Sequence, residues 1–194
     1  MSANTTNSKA RREQVAFGLT YYYAAAKLLV RKGEGITGMD GVNGKKLAVF
    51  KGSTGEQIGE MRKRGGAPIV TVAVKDSPAA IEGLNGKQVD AVINDDVLLM
   101  TYAQQSKGAL EVVGSGMSVE PLAPMLSKDD AAYITWVQNE MARMYREQEI
   151  DALYDKWFMK ELPGKGISLQ IKPSRLLWDN FRRPSNYVAD WVVL

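Results

Sequence analysis

NGKKLAVFKGST, residues 43–54, decides the fold class. Lys45–Phe50, with Leu47 to Phe50 apolar, reads as a short strand. Gly52-Ser53-Thr54 follows at once and opens an amphipathic helix to about Lys63. Working outward, the same strand-turn-helix unit recurs. Ile69–Val74 alternates β-branched residues and reads as a strand. Ser77-Pro78 is a helix start, a capping residue followed by proline at the first helical position, and that helix ends near Asn85-Gly86. Val89–Ile93 is a further strand, Asp95 or Asp96 caps a helix to about Gln105, and Leu110–Val113 returns as a strand. Upstream, Leu19–Val30 reads as extended and buried, and the Gly-rich stretch 32–43 as loop. This alternation with short connections predicts an α/β layered domain with a largely parallel sheet over about 22–116. Past Pro121 the pattern changes. Lys128–Glu147 predicts one long helix with Ile134, Val137, Met141 and Met144 on one face. Ile150–Phe158 predicts a second, before a Pro-punctuated tail from Pro163.

Composition narrows the chemistry. The chain has no Cys and no His, so thiol nucleophiles, disulfides, Cys/His zinc sites and His-based triads are excluded. Proton transfer would fall to Asp, Glu, Lys or Tyr. A net charge of +3, from 25 basic and 22 acidic residues, is spread along the chain apart from Lys9, Arg11 and Arg12. That is not the basic stripe of a nucleic-acid binder. No apolar run approaches the roughly 20 residues that span a bilayer. Residues 1–12 are polar and lack the apolar core of a signal peptide.

Three places carry recognition chemistry. Lys51-Gly52-Ser53-Thr54 sits between strand and helix, where free N–H groups and the helix dipole attract a carboxylate or phosphate; an ordinary N-cap is the plainer reading. It is no P-loop, because Gly44-Lys45 is followed by Lys46 and position 39 is Met. Asn94-Asp95-Asp96 stands at a strand end, the edge where open α/β sheets line ligand crevices; helix capping is the plainer reading for both acids. Two adjacent acids do not make a metal site, and no metal or cofactor is expected. Thr5 to Arg11 places hydroxyls ahead of an arginine whose fork can hold a carboxylate; read blindly, it is a polar terminus.

Together these places resemble the amino-acid-binding proteins of ABC importers, solute-binding family 3, and most of all the glutamate/aspartate branch. The matching stretches are NTTNSKARREQVAF (4–17), LLVRKG (28–33), NGKKLAVFKGST (43–54), VDAVINDDVLL (89–99) and EQEIDALYDKWF (147–158). The resemblance implies a periplasmic-binding-protein-like fold of two α/β lobes closing over one amino acid. It implies that residues 22–118 form a complete second lobe. Residues 1–21 and 119–194 then supply the hinge-proximal segment, return hinge, C-terminal helices and tail of the first lobe.

The resemblance also assigns roles. Thr6 and Arg11, with Asn4 beside them, would hold the ligand α-carboxylate; Asn4 stands where the family usually has Ser. Ser53 and Thr54 would meet the same carboxylate, and Asp95 the α-ammonium group. Ser77 occupies the place where the acidic-ligand branch usually has a basic residue, so an acidic ligand would lose one charge partner; the expected substrate is glutamate, aspartate or a related polar amino acid. Leu122-Ala123 stands where an aromatic-Gly pair is usual. The resemblance further implies a periplasmic protein, no catalytic residue, a permease partner, and a missing N-terminal part of the first lobe. As it stands, the chain is therefore expected to bind its ligand weakly or not at all. Its apolar helix faces predict self-association or an exchanged dimer. An enzyme on the same fold, such as a cyclohexadienyl dehydratase, and a sensory ligand-binding domain are the alternatives.

Overall fold

The computed structural model describes residues 2–160. In chain order the elements are β1 (Ser2–Thr6), α1 (Lys9–Arg12), β2 (Ala16–Phe17), β3 (Tyr22–Ala24), β4 (Ala26–Arg31), a 3-10 turn (Met39–Val42), β5 (Lys46–Phe50) and α2 (Thr54–Arg64). There follow β6 (Val70–Val74), α3 (Ser77–Asn85), β7 (Ala91–Asp95), α4 (Asp96–Gln105), β8 (Leu110–Val113), β9 (Glu120–Leu126), α5 (Ala131–Arg146), α6 (Glu149–Tyr154) and a π-helical turn (Asp155–Lys160). The described chain divides into two compact units: residues 2–24 with 119–160, and residues 25–118.

The unit of residues 25–118 is a three-layer sandwich. Its sheet has the order β6-β5-β7-β4-β8. Period-two alternation sends neighbouring residues to opposite faces. Leu28, Val30, Leu47, Val49, Ala91 and Ile93 pack with Ile58 of α2 on one face. Leu29, Ala48 and Val92 pack with Ala80 and Leu84 of α3 and Leu99 of α4 on the other. Two features differ from the sequence expectation. The sheet is mixed: β6, β5 and β7 are parallel, whereas β4 runs antiparallel to both β7 and β8. Only strands reached through a helical crossover need run parallel, and β4 is entered from β3 with no helix between them. In addition, Asp76 rather than Ser77 caps α3, its carboxylate accepting Ala79 N–H at 2.8 Å, while Ser77 is the first helical residue.

In the other unit β9 is the central strand, pairing antiparallel with β1, β2 and β3. Tyr22–Ala24 belongs here because it pairs with Glu120–Leu122, so the junction falls after Ala24 instead of before Tyr22. Helix α5 covers this sheet through Val137 and Met141 on Leu126, with Ile134, Ala16 and Leu19 around them. Gln138 Nε2 donates to the Phe17 carbonyl at 3.0 Å, and the Tyr145 hydroxyl to the Thr20 carbonyl at 2.5 Å. Ile134 and Met141, expected to lie open, are thus covered by the β-segments. Among the described residues of the C-terminal helical segment, the exposed apolar side chains are instead Tyr133, Trp136, Leu153 and Trp157. They border a groove of about 530 Å³ that Tyr21, Tyr22 and Met144 also line. The tail from Pro163 lies outside the described residues.

Candidate functional site

In the sandwich, the candidate residues collect at one edge. Parallel strands β6, β5 and β7 lie side by side, and each runs into a helix at its C-terminal end. The ladder pairs Phe50 with Val74 and Ala48 with Val92, so the three strands end at the same level. Ser77 follows β6, Ser53 and Thr54 follow β5, and Asp95 ends β7. Four residues scattered over 43 positions therefore share the sheet edge at which α/β folds bind ligands.

The geometry assigns these residues different duties. The Ser53 hydroxyl accepts Glu56 N–H at 3.1 Å, and the Glu56 carboxylate reaches back to Gly52 N–H at 2.7 Å. These bonds satisfy two donors at the α2 terminus, and Ser53 is foremost a cap. Thr54 and Gly55, both buried, stand outside the two bonds at the positive end of the helix. Gly52 makes the turn possible: its φ of +74° is cheap only for glycine. Gly55 sets how closely α2 meets the sheet, because a Cβ there would lie 2.8 Å from Ile93 Cγ2 and 3.1 Å from the Ile93 carbonyl oxygen.

Asp95 and Asp96 also part company. Asp96 is buried, and its Oδ1 accepts Val97 N–H at 2.8 Å and Ala25 N–H at 3.4 Å. It is the structural acid, tying the start of α4 to the residue before β4. Asp95 occupies the cap position of α4 without making a side-chain cap bond, and it is half-buried. Its backbone N–H donates to the Asn94 side-chain oxygen at 2.9 Å. Of the two acids, Asp95 is the one whose carboxylate is not used to cap the helix.

In the other unit, Asn4 and Thr6 lie on β1 and Arg11 on the single turn α1. The β1–β9 register slips between Ser2 and Thr5, which puts Asn4 in the irregularity. Arg11 Nη1 donates to the Thr6 carbonyl at 3.0 Å, so hydroxyl and guanidinium are held together. Ser8 caps the turn by accepting Arg11 N–H. Beside them the Arg12 Nε donates to Asn7 Oδ1 at 2.6 Å, and burial pulls the Arg12 guanidinium below its ordinary pKa. The sequence reading passed over Glu120, the buried acceptor of the Thr6 hydroxyl. Its one signal was a lone carboxylate at the head of the apolar run Pro121–Leu126. Among the described residues, no group of three or more His, Cys, Asp or Glu side chains stands where it could hold a metal ion. No described helix is long and apolar enough to cross a membrane.

Comparison with known proteins places this geometry in context. The family of bacterial extracellular solute-binding proteins, family 3, matches over residues 1–160. The L-glutamate/L-aspartate-binding protein of Pseudomonas aeruginosa is 28% identical, the match covering 96% of this chain and 63% of that protein. The ABC transporter glutamine-binding protein of Bacillus subtilis is 28% identical over 84% of this chain and 58% of its own. The GluR0 ligand-binding core from Nostoc punctiforme, solved with L-glutamate, superposes with a TM-score of 0.68 at 28% identity, covering 81% of this chain and 71% of that one. The chain spans less than two thirds of the length of these two curated relatives.

Proposed function

The chain belongs to the bacterial extracellular solute-binding proteins of family 3, and on that premise we propose that it is the solute-binding component of an ABC importer for a polar amino acid. Glutamate or aspartate is the first choice of solute. The observation that carries this reading is the shared strand edge of the sandwich, where α2 starts at Thr54 after β5 and the neighbouring strand β7 ends at Asp95. An amino acid is a zwitterion. A helix N-terminus suits its carboxylate, and an aspartate suits its ammonium group. The other unit offers Arg11, held by the Thr6 carbonyl and with Asn4 on the neighbouring strand, to a carboxylate. Ser77 brings a hydroxyl rather than a charge to the same edge, which favours hydrogen bonding to the ligand side chain over ion pairing.

The mechanism is capture without chemistry: the ligand stabilises one conformation, and a membrane permease reads that conformation. Relatives named as binding proteins support a non-enzymatic role in the periplasm. The likeness to the GluR0 ligand-binding core favours a sensory domain as the second reading. The exposed aromatic groove supports self-association, each copy offering the same patch to the other.

NMR titration of the chain tests the assignment and reaches millimolar affinities. On adding L-glutamate, L-aspartate or L-glutamine, amide signals of Thr54, Gly55 and Asp95 shift, and Asp95→Asn weakens the response about thirtyfold, the scale of a lost charged partner. Amide shifts that spare Thr54, Gly55 and Asp95, or new product signals, overturn the reading.

A further inference from the structure

Glu120 is 2% exposed, a carboxylate inside a protein core. A charge so placed is costly unless hydrogen bonds compensate it. It opens β9 opposite Ala24 of β3, and its Oε2 lies 2.8 Å from the Thr6 hydroxyl, 114 residues away in sequence. A hydroxyl has one proton to give, and in this pair the Thr6 hydroxyl is the donor. The Thr6 proton therefore points to Glu120, and the hydroxyl is left with lone pairs alone. The next peptide repeats the tie, Asn7 N–H donating to the Pro121 carbonyl at 2.8 Å. The Thr6 carbonyl in turn accepts Arg11 Nη1 at 3.0 Å.

We propose that Glu120 is the positioning residue of the Thr6–Arg11 clamp: it anchors Thr6 by its hydroxyl, and the anchored Thr6 carbonyl sets the Arg11 fork. Arg11 and backbone N–H groups then supply the donors to an incoming carboxylate, and the Thr6 hydroxyl acts on the ligand only through this scaffold. The proposal rests on the amino-acid-binding reading for its ligand, but the scaffold exists without one.

A double-mutant cycle with L-glutamate as probe tests it. Glu120→Gln and Thr6→Val each weaken binding roughly tenfold, about the scale of one hydrogen bond to a charged group, and the double variant is no weaker than either. Thr6→Ser, which keeps the hydroxyl, restores wild-type affinity. Losses that multiply in the double variant overturn the proposal, because the Thr6 hydroxyl then acts on the ligand independently of Glu120. The second readout needs no ligand. The Arg11 Nε–Hε signal is sharp in the wild-type protein and broadens in Glu120→Gln and Thr6→Val alike, with thermal melting confirming that each variant is folded. An Arg11 signal unchanged in both variants also overturns the proposal. Should Glu120→Gln fail to fold, Glu120→Asp, which keeps the charge and shortens its reach, takes its place. If the wild-type protein binds no amino acid, the Arg11 signals alone decide the role of Glu120.

Discussion

The two units meet the same demand, covering apolar surface, in different ways. In residues 25–118 the sheet is sandwiched: Leu28 and Leu47 serve one layer of helix, Leu29 and Ala48 the other, all at 0% exposure. In the unit around β9, one helix packs Val137 and Met141 onto the strands, while its neighbour Trp136 remains 59% exposed on the groove. A strand shows two faces and can be saturated from both sides, whereas an amphipathic helix with a broad apolar arc needs a second partner for the rest of that arc. The proposed ligand edge of the sandwich lies on the saturated unit, as such a site requires. Side chains that must hold a small charged molecule need a support that does not yield.

The largest expected effect probes that saturation. Leu47→Ala opens a cavity between β5 and α2 and costs about 3 kcal/mol in urea unfolding. A loss below about 1 kcal/mol would mean that the sandwich yields, and the contrast between units would go. Gly55→Ala comes next, at about 2 kcal/mol, because the new methyl meets a strand backbone as well as a side chain. Since it pushes α2 off β7, the Thr54 amide should also shift in NMR spectra. An unshifted amide would show that the helix start does not depend on this close approach.

A third test addresses the other unit through pH. Burial holds the Tyr145 phenol above its ordinary pKa while it donates to the Thr20 carbonyl. The unfolded phenol ionises first, near pH 10. The contribution to stability is therefore complete below about pH 10 and is lost as pH rises toward the folded value. Tyr145→Phe should cost about 1 kcal/mol at neutral pH and flatten the alkaline decline in melting temperature. A decline of unchanged slope would assign it to other groups. The smallest effect on stability is expected at Trp136. Trp136→Ala should change unfolding by less than about 0.5 kcal/mol, yet light scattering should show a dimer becoming a monomer. A wild-type monomer would end the self-association reading, and a Trp136→Ala cost like that of Leu47→Ala would erase the difference between the units.

Much of this was legible without coordinates. Alternating β-branched and apolar runs marked β5, β6 and β8, and the cap residues marked the helix starts, because periodicity and capping are local properties. Arg11 reaches the Thr6 carbonyl, five residues back, for the same reason. Capping at α3 was misplaced by one residue because Asp76 and Ser77 are both competent caps, and only the backbone turn chooses between them. The direction of β4 and the partnership of Tyr22–Ala24 with β9 were not legible, since strand pairing joins residues about 60 to 100 positions apart.

The sequence alone settled which side chains are available: no histidine or cysteine, an arginine behind a threonine-rich strand, and an acid pair at a strand end. Tertiary structure decided which of them are spent on the fold. Asp96 is consumed in holding Ala25 and Val97, Ser53 in capping α2, and Thr6 in answering Glu120. A hydrogen-bonding group commits itself to whatever partner folding brings within 3 Å or so, and for Thr6 that partner lies 114 residues along the chain.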